Sequence, residues 1–328
     1  MRCALHDGVV TSDAVVAQGV RSGNVRDLAR AITVIENSPI GAPTLLAALG
    51  EPARTAHVIG VTGAPGVGKS TMTSALIRAY RARDARVAVI AVDPSSPFSG
   101  GALLGDRIRM QEHSGDAGVY IRSMASRGHL GGLTAAIGPV LRVCEVAGFD
   151  AVILETVGVG QSEVEVAAAA DTTLVLVAPG MGDGIQAAKA GILEIGDIFV
   201  VNKSDRDGAA TTARELRHMI ALGERLPHDW EPPVVSAVAS VGTGVDEVVA
   251  AADRHREWLV ATGNLERRRE LRAREEIVDT AAALVRARLL EDRSAVDALA
   301  ADVARGADTA YAAAQRLLAH WSPGTMVE

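Results

Sequence analysis

Aromatic residues are scarce in this chain: three Trp, three Tyr and three Phe among 328 residues, 3% against 48% hydrophobic residues overall. Ala, Val, Leu and Ile must therefore build the core. Cysteine is rarer still, with Cys3 near the start and Cys144 in an apolar helical stretch. Two such cysteines exclude a disulfide framework and lead us to expect a reduced, cytoplasmic setting. No unbroken apolar run approaches the ~18 residues of a membrane span, so neither a transmembrane helix nor a membrane partner is expected. Residues 1–13 lack a basic stretch followed by an apolar one, which argues against secretion. Net positive charge is also missing: the formal balance is −7, which argues against a general nucleic-acid binder. Tandem repeats and low-complexity tracts are absent.

Three zones follow one another along the chain. Residues 14–50 read as helices, with Val25–Ile32 at helical spacing and Pro39 and Pro43 as punctuation. From about 57 to 260, short β-branched runs alternate with helical patterns. Strands are predicted at 57–62, 86–92, 151–155, 172–178, 197–202 and 232–238. That alternation predicts an α/β fold with a mostly parallel sheet flanked by helices on both faces. Beyond Gly263 the composition turns charged and alanine-rich. A long amphipathic helix is expected over 265–290 and a shorter one near 294–319. The spacing of this tail fits a helix lying on its own domain as well as one packing on a second subunit. The division expected is a helical extension at 1–56, a nucleotide-binding domain at 57–262 and a helical tail at 263–328.

The chemistry starts at Gly63-Ala64-Pro65-Gly66-Val67-Gly68-Lys69-Ser70, which fits G-x-x-x-x-G-K-[ST]. It follows the apolar run Val58–Val61 and precedes a helical pattern from Thr71 to Tyr80, the context that makes such a loop a phosphate site. Its glycines let backbone N–H groups turn towards phosphates, and the helix adds its positive end. Lys69 is expected to reach the β/γ-phosphates and Ser70 to offer its hydroxyl to Mg²⁺, with Thr71 beside it. A nucleoside triphosphate is the expected ligand.

Asn202-Lys203-Ser204-Asp205 follows the apolar run Ile198–Val201 and fits N-K-x-D at the carboxyl end of a strand. A carboxylate at Asp205 can accept from guanine N1–H and the 2-amino group, donors that adenine lacks there. Asn202 and the Lys203 stem would brace the loop and cover the base. Ser236-Ala237-Val238, after Val234-Val235, is expected to supply backbone N–H groups to guanine O6. GTP is therefore expected rather than ATP.

Between these motifs, Glu155-Thr156-Val157-Gly158 stands where many GTPases carry D-x-x-G, and its carboxylate would orient a water on Mg²⁺. Mg²⁺ takes few protein ligands, so Ser70 with Asp93, Asp106 and Glu155 suffices. Asp93 opens Asp93-Pro94-Ser95-Ser96, and Asp106 lies in the glycine-rich stretch Gly100–Arg107, which suits a segment that reorders when the γ-phosphate is lost. Asp93 capping a turn and Asp106 starting a helix are the alternative roles. Ras-like GTPases carry a water-positioning Gln directly after D-x-x-G; here Val159 stands there, so slow unassisted hydrolysis is expected. Arg107 and Arg109 could complete the site, as could an arginine from a partner. His113 and His129 read as solvated or core histidines.

Taken together, Gly63–Ser70, Asp93–Ser96, the segment 100–107, the run Glu155-Thr156-Val157-Gly158-Val159-Gly160-Gln161-Ser162-Glu163 and Asn202–Asp205 resemble the MeaB/ArgK group of P-loop GTPases, relatives of the methylmalonic aciduria type A protein. The resemblance spans roughly residues 20 to 325. It implies a homodimeric GTPase, with 263–328 as a dimerisation arm, that serves as chaperone for adenosylcobalamin-dependent methylmalonyl-CoA mutase. It also implies that Lys69, Asp93, Asp106 and Glu155 serve catalysis and that Asp183–Lys189 couples nucleotide state to the mutase. Gly184, Ala187 and Ala188 depart from that pattern, as does Pro97-Phe98-Ser99. No Asp-x-His-x-x-Gly motif occurs in the sequence, so no cobalamin site of its own is expected. Isobutyryl- and ethylmalonyl-CoA mutases are alternative clients. A metal-insertion GTPase would want clustered thiolates and imidazoles, and an amino-acid transport kinase would want a phosphoacceptor site; neither shows in the sequence.

Overall fold

A computed structural model describes residues 12–37, 43–52, 54–94, 111–113, 115–126, 134–156, 162–180, 192–223, 226, 229–291 and 293–319, without the side chains of 93–94, 111, 125–126, 134–135, 162, 192–193 and 290–291. Among them, seven strands form one parallel sheet: β1 (His57–Gly63), β2 (Val87–Pro94), β3 (Val119–Ser126), β4 (Ala151–Thr156), β5 (Thr172–Val177), β6 (Ile198–Val201) and β7 (Val234–Ser236). Their spatial order is β3-β2-β4-β1-β5-β6-β7. Each strand is parallel to its neighbours. The chain leaves β1 towards β2 on one side and returns to β5 on the other. Such a switch point opens a crevice at the carboxyl ends of the strands.

Helices cover both faces, which is why the central strands are buried throughout rather than alternating. On one face Val58, Ile90, Val152 and Leu154 pack with α1 (Asp13–Arg21), α2 (Val25–Asn37), α3 (Pro43–Leu49), α5 (Thr134–Val146) and α6 (Ser162–Ala169). On the other, Ile59, Val61, Val89, Ile153 and Leu174 pack with α4 (Lys69–Arg81) and α9 (Val245–Ala261). Period-two alternation sends neighbouring residues to opposite faces. α7 (Ile192–Ile195) and α8 (Ala209–Ala221) precede and follow β6, and α8 covers Val175, Phe199 and Val201. In α2, Leu28, Ala31, Ile32 and Ile35 face inward, and the Asn24 side chain caps the helix by accepting from the N–H of Arg26 at 2.9 Å. Pro43 opens α3, where its missing N–H costs nothing. Cys144 is buried in α5, and burial pushes its thiol up to about 12.

Two elements differ from expectation. β3 has no counterpart among the predicted strands. It is an edge strand, and Arg122 and Ser123 dilute its apolar pattern. Arg122 also reaches α2, pairing with Glu36 at 2.9 Å. The shorter tail helix is two helices, α11 (Arg293–Ala304) and α12 (Ala310–Ala319). Gly306, at φ 72°, ends the first, and the Thr309 hydroxyl caps the second by accepting from the N–H of Ala312 at 3.2 Å. No helix among the described residues is long and apolar enough to cross a membrane.

The long helix α10 (Asn264–Glu291) is tied to the amino-terminal edge of the sheet, opposite the crevice. Arg268 forks onto Asp197 at 2.8 and 3.0 Å, and Arg269 onto Asp171 at 2.8 and 3.3 Å. These aspartates stand directly before β6 and β5 and also accept from backbone, Asp171 from Val58 N–H at 3.1 Å and Asp197 from Thr173 N–H at 2.8 Å. Behind them runs a buried polar chain. His57 Nε2 lies 2.7 Å from Thr172 Oγ1, and that oxygen lies 2.9 Å from His255 Nδ1. The other ring nitrogen of His255 is 3.3 Å from Asp197. Burial holds both rings neutral, depressing His57 to about 3 and His255 to about 4. The rings of Trp230 and Trp258 pack on His255.

Candidate functional site

β1 ends in the glycine loop, and the loop's shape depends on glycine at two points. Gly63 has φ 137°, and a Cβ there would stand 2.3 Å from the carbonyl oxygen of Leu176. Gly68 has φ 96°, and a Cβ there would stand 2.5 Å from the amide nitrogen of Asn202. The chain thus turns tightly against β5 and the 202 loop before α4 begins at Lys69. The Lys69 ammonium curls back over the loop and donates to the carbonyl of Gly63 at 2.5 Å and of Ala64 at 3.4 Å. Gly66 and Pro65 stay exposed at the loop's crown.

Glu155 sits beside Val61 in the β1–β4 register and is 1% exposed. Its Oε1 accepts from the Ser70 hydroxyl at 2.6 Å. The fold therefore brings together two of the four residues expected at Mg²⁺. A hydroxyl and a carboxylate are the hard oxygen donors that Mg²⁺ takes, so the pair fits that ion. Asp93 stands at the carboxyl end of β2, paired in register with Ala125, while its side chain lies outside the described atoms. Asp106, Arg107, Arg109, His129, Val157–Gln161 and Asp183–Lys189 fall outside the described residues. Glu163, which enters the sequence only as part of the 155–163 run, occupies the first turn of α6 and is half-buried. Burial raises its carboxyl above the usual range while the Lys69 charge pulls the other way.

The base end is joined to the phosphate end by one amide. Asn202 is 2% exposed; its Nδ2 donates to Val67 O at 2.8 Å, and its Oδ1 accepts from Ala239 N–H at 3.1 Å. Lys203, at φ 55°, donates from Nζ to Gly66 O at 2.6 Å, so its stem lies across the loop. Asp205 is exposed at the rim. Ser204 N–H donates to Ala237 O at 3.0 Å, seating this loop on the one after β7. There the loop's own hydrogen bonds bear on the guanine O6 assignment. The N–H of Ala237 is given to Val201 O at 2.9 Å and that of Val238 to Thr243 O at 2.8 Å. Two of the three N–H groups of Ser236-Ala237-Val238 assigned to guanine O6 are thus committed to the protein, because the chain continues the ladder and then closes a small antiparallel bridge. Ala237 O also supports the Asn202–Asp205 loop through Ser204 N–H.

These groups share one edge of the sheet: anion-binding loop, hydroxyl–carboxylate pair and an exposed carboxylate on a braced loop. Such a set can hold a nucleoside triphosphate and position a water against it. The family model for methylmalonyl-CoA mutase-associated GTPase MeaB matches residues 28–296. A Pyrococcus horikoshii protein provisionally named a GTPase is 44% identical over 268 residues, covering 81% of this chain and 84% of that one. The mouse methylmalonic aciduria type A homolog, mitochondrial, is 38% identical over 215 residues, 65% of this chain and 52% of that one. Among solved structures, an LAO/AO transport system kinase superposes with a TM-score of 0.69 at 27% identity, covering 95% of this chain and 99% of that one.

Proposed function

The chain belongs to the MeaB family of P-loop GTPases, and on that premise we propose that it is a chaperone of adenosylcobalamin-dependent methylmalonyl-CoA mutase whose GTP hydrolysis gates cofactor loading and protects the mutase. The observation that carries the GTPase half is the junction of Lys69, the Ser70–Glu155 pair and Asn202 at one sheet edge. The mutase half is supported by the family's description and by the mouse relative's name. Methylmalonyl-CoA mutase is our first client, and other acyl-CoA mutases of the same chemistry are the alternative.

Phosphoryl transfer asks the protein for positioning and charge more than for covalent chemistry. Lys69 exchanges its loop carbonyls for the β/γ-phosphate oxygens. The N–H groups of the loop and the start of α4 face the same phosphates. Glu155 would orient a water on the bound Mg²⁺, and Asp205 accepts from the guanine edge while Asn202 holds base loop and phosphate loop at a fixed spacing. Ser70, Asp93, Asp106 and Glu155 are the residues we assign to Mg²⁺, which when bound neutralises charge on the transferring phosphate.

We assign the working division to 1–56, 57–262 and 263–328, with the last as an arm that pairs two copies. Leu271, Ile277, Val278 and Leu284 of α10 are all exposed, between 48% and 69%. They fall in two seven-residue steps, 271 to 278 and 277 to 284, the repeat of helices that pack along their length.

GTP hydrolysis measured with and without the mutase, beside Lys69→Ala, tests the reading. Stimulation by the mutase that is lost in Lys69→Ala is expected. Hydrolysis indifferent to every acyl-CoA mutase tried would remove the client and leave the GTPase.

A further inference from the structure

A cavity of about 290 Å³ lies between α3, α5 and α10, at the amino-terminal edge of the sheet where Arg269 meets Asp171. Its size is at the small end of ligand pockets, and its lining is amphipathic. Leu46, Pro139 and Leu141 give an apolar wall, while Arg142, Arg272 and Glu276 bring charge of both signs.

Those charges are not paired with one another. Arg272 and Glu276 stand four apart on α10, a spacing at which such side chains can meet. Arg272 turns instead to the carbonyl of Ala169 and to Asp171, 3.6 Å away. Arg142 gives one nitrogen to Gly50 O at 2.7 Å. Glu276 is half-buried and makes no hydrogen bond or ion pair among the described residues. Burial raises its carboxyl above the ordinary range, while the charges of Arg272 and Arg142 pull it down. A half-buried carboxylate without a donor is costly, so the group is set for one that the protein does not supply.

The facing wall makes room for that carboxylate. A Cβ on Gly138 would overlap Glu276 Oε2, so any larger residue there would push the carboxylate from its place. Pro139 follows inside α5 and leaves the carbonyl of Ala135 without its helical N–H partner. Glycine and proline side by side cost α5 helical stability, and they give the cavity its shape.

We propose that this cavity binds a small zwitterion with an apolar body, the class of the aliphatic α-amino acids. The ammonium donates to Glu276, the carboxylate accepts from the remaining N–H groups of Arg142 and Arg272, and the body lies on Leu46, Pro139 and Leu141. A simple anion would face Glu276, and a simple cation would face the arginines. Only a ligand carrying both charges answers both sets. Because Arg142 belongs to α5 and Glu276 to α10, the bound molecule also fastens the long tail helix to the nucleotide-binding domain. None of this depends on which enzyme the GTPase serves.

The probe is L-leucine, with isocaproate and isoamylamine as the same skeleton lacking the ammonium or the carboxylate. Binding to the full chain is read by saturation-transfer NMR and calorimetry, and its place by amide exchange in α5 and α10. Leucine should bind with millimolar affinity or better and raise protection in both helices. Each half-ligand should bind about tenfold more weakly or worse, the worth of one hydrogen bond to a charged group. Glu276→Gln and Arg142→Gln should each weaken leucine about tenfold. Gly138→Ala, which displaces the Glu276 carboxylate without removing a charge, should act in the same direction. GTP hydrolysis at the parental rate in all three shows that they fold. Leucine that fails to bind the parent at about 10 mM, or that binds Glu276→Gln as tightly as the parent, overturns the proposal. A half-ligand as tight as leucine overturns it too, because the cavity would then read one charge only. Parental GTP hydrolysis in the same samples keeps either failure separate from the GTPase reading.

Discussion

Asn202 and Val67 lie 135 residues apart in the chain and 2.8 Å apart in the fold, where the asparagine amide donates to the valine carbonyl. The same side chain accepts from Ala239 N–H. One buried amide therefore joins the phosphate loop, the base loop and the loop after β7.

Asn202→Ala removes both hydrogen bonds and leaves a buried N–H and C=O unmatched. At about 1–1.5 kcal/mol per bond, affinity for GTP and GDP should fall by tens-fold. Calorimetric titration with each nucleotide checks it; equal affinities in variant and parent would mean the loops hold their spacing without the amide.

Asp205 is the residue we assign to the guanine edge. Asparagine at this position offers an N–H where guanine also has a donor, so Asp205→Asn should weaken GTP by about 10² or more. Xanthine carries a carbonyl at the 2-position and should bind the variant better than guanine does. Competition between GTP and xanthosine triphosphate is the measurement.

Glu155→Gln keeps the size and one acceptor for Ser70 but removes the buried charge. Hydrolysis should drop by about 10²–10³, with nucleotide affinity within a few-fold of the parent. Single-turnover hydrolysis beside equilibrium binding separates the two. A parental rate would take Glu155 out of the chemistry.

At the far end of the sheet, Asp171 is 1% exposed and faces Arg269 at 2.8 Å and Arg272 at 3.6 Å. Asp171→Ala leaves half-buried guanidinium groups without their anion and strands the N–H of Val58. A loss of about 3–5 kcal/mol is expected, as for one broken member of a buried pair. Urea unfolding reads it, and α10 should lose protection from amide exchange first.

The neutral histidines give this end a pH dependence of known sign. Burial holds His57 at about 3 and His255 at about 4, below the ordinary 6.5. Between pH 6.5 and those values the unfolded chain binds protons that the folded chain refuses. Stability is therefore complete above pH 6.5 and declines as pH falls towards 4 and then 3, by up to about 1.4 kcal/mol per pH unit for each ring. Urea midpoints from pH 7.5 to 4.5 should show the slope, and His255→Gln should flatten it. Tryptophan emission is a convenient signal, since Trp230 and Trp258 lie on that ring.

The phosphate loop, N-K-x-D and the strand–helix alternation are legible in the sequence because each is contiguous. Glycine spacing, a strand's apolar run and a helix's period act within a dozen residues, so local order carries their meaning. Six of the seven strands come from such runs; β3 is hidden because it is a tethered edge whose Arg122 serves α2 rather than a core. Only tertiary structure decided the rest. The N–H groups of Ala237 and Val238 were spent on neighbours that the sequence does not place beside them. His113 was paired with Ser74, 39 residues earlier, and Arg268 and Arg269 met Asp197 and Asp171 across 71 and 98 residues. Contacts at such separations depend on how the sheet is ordered and which helix covers it, and no local pattern encodes that choice.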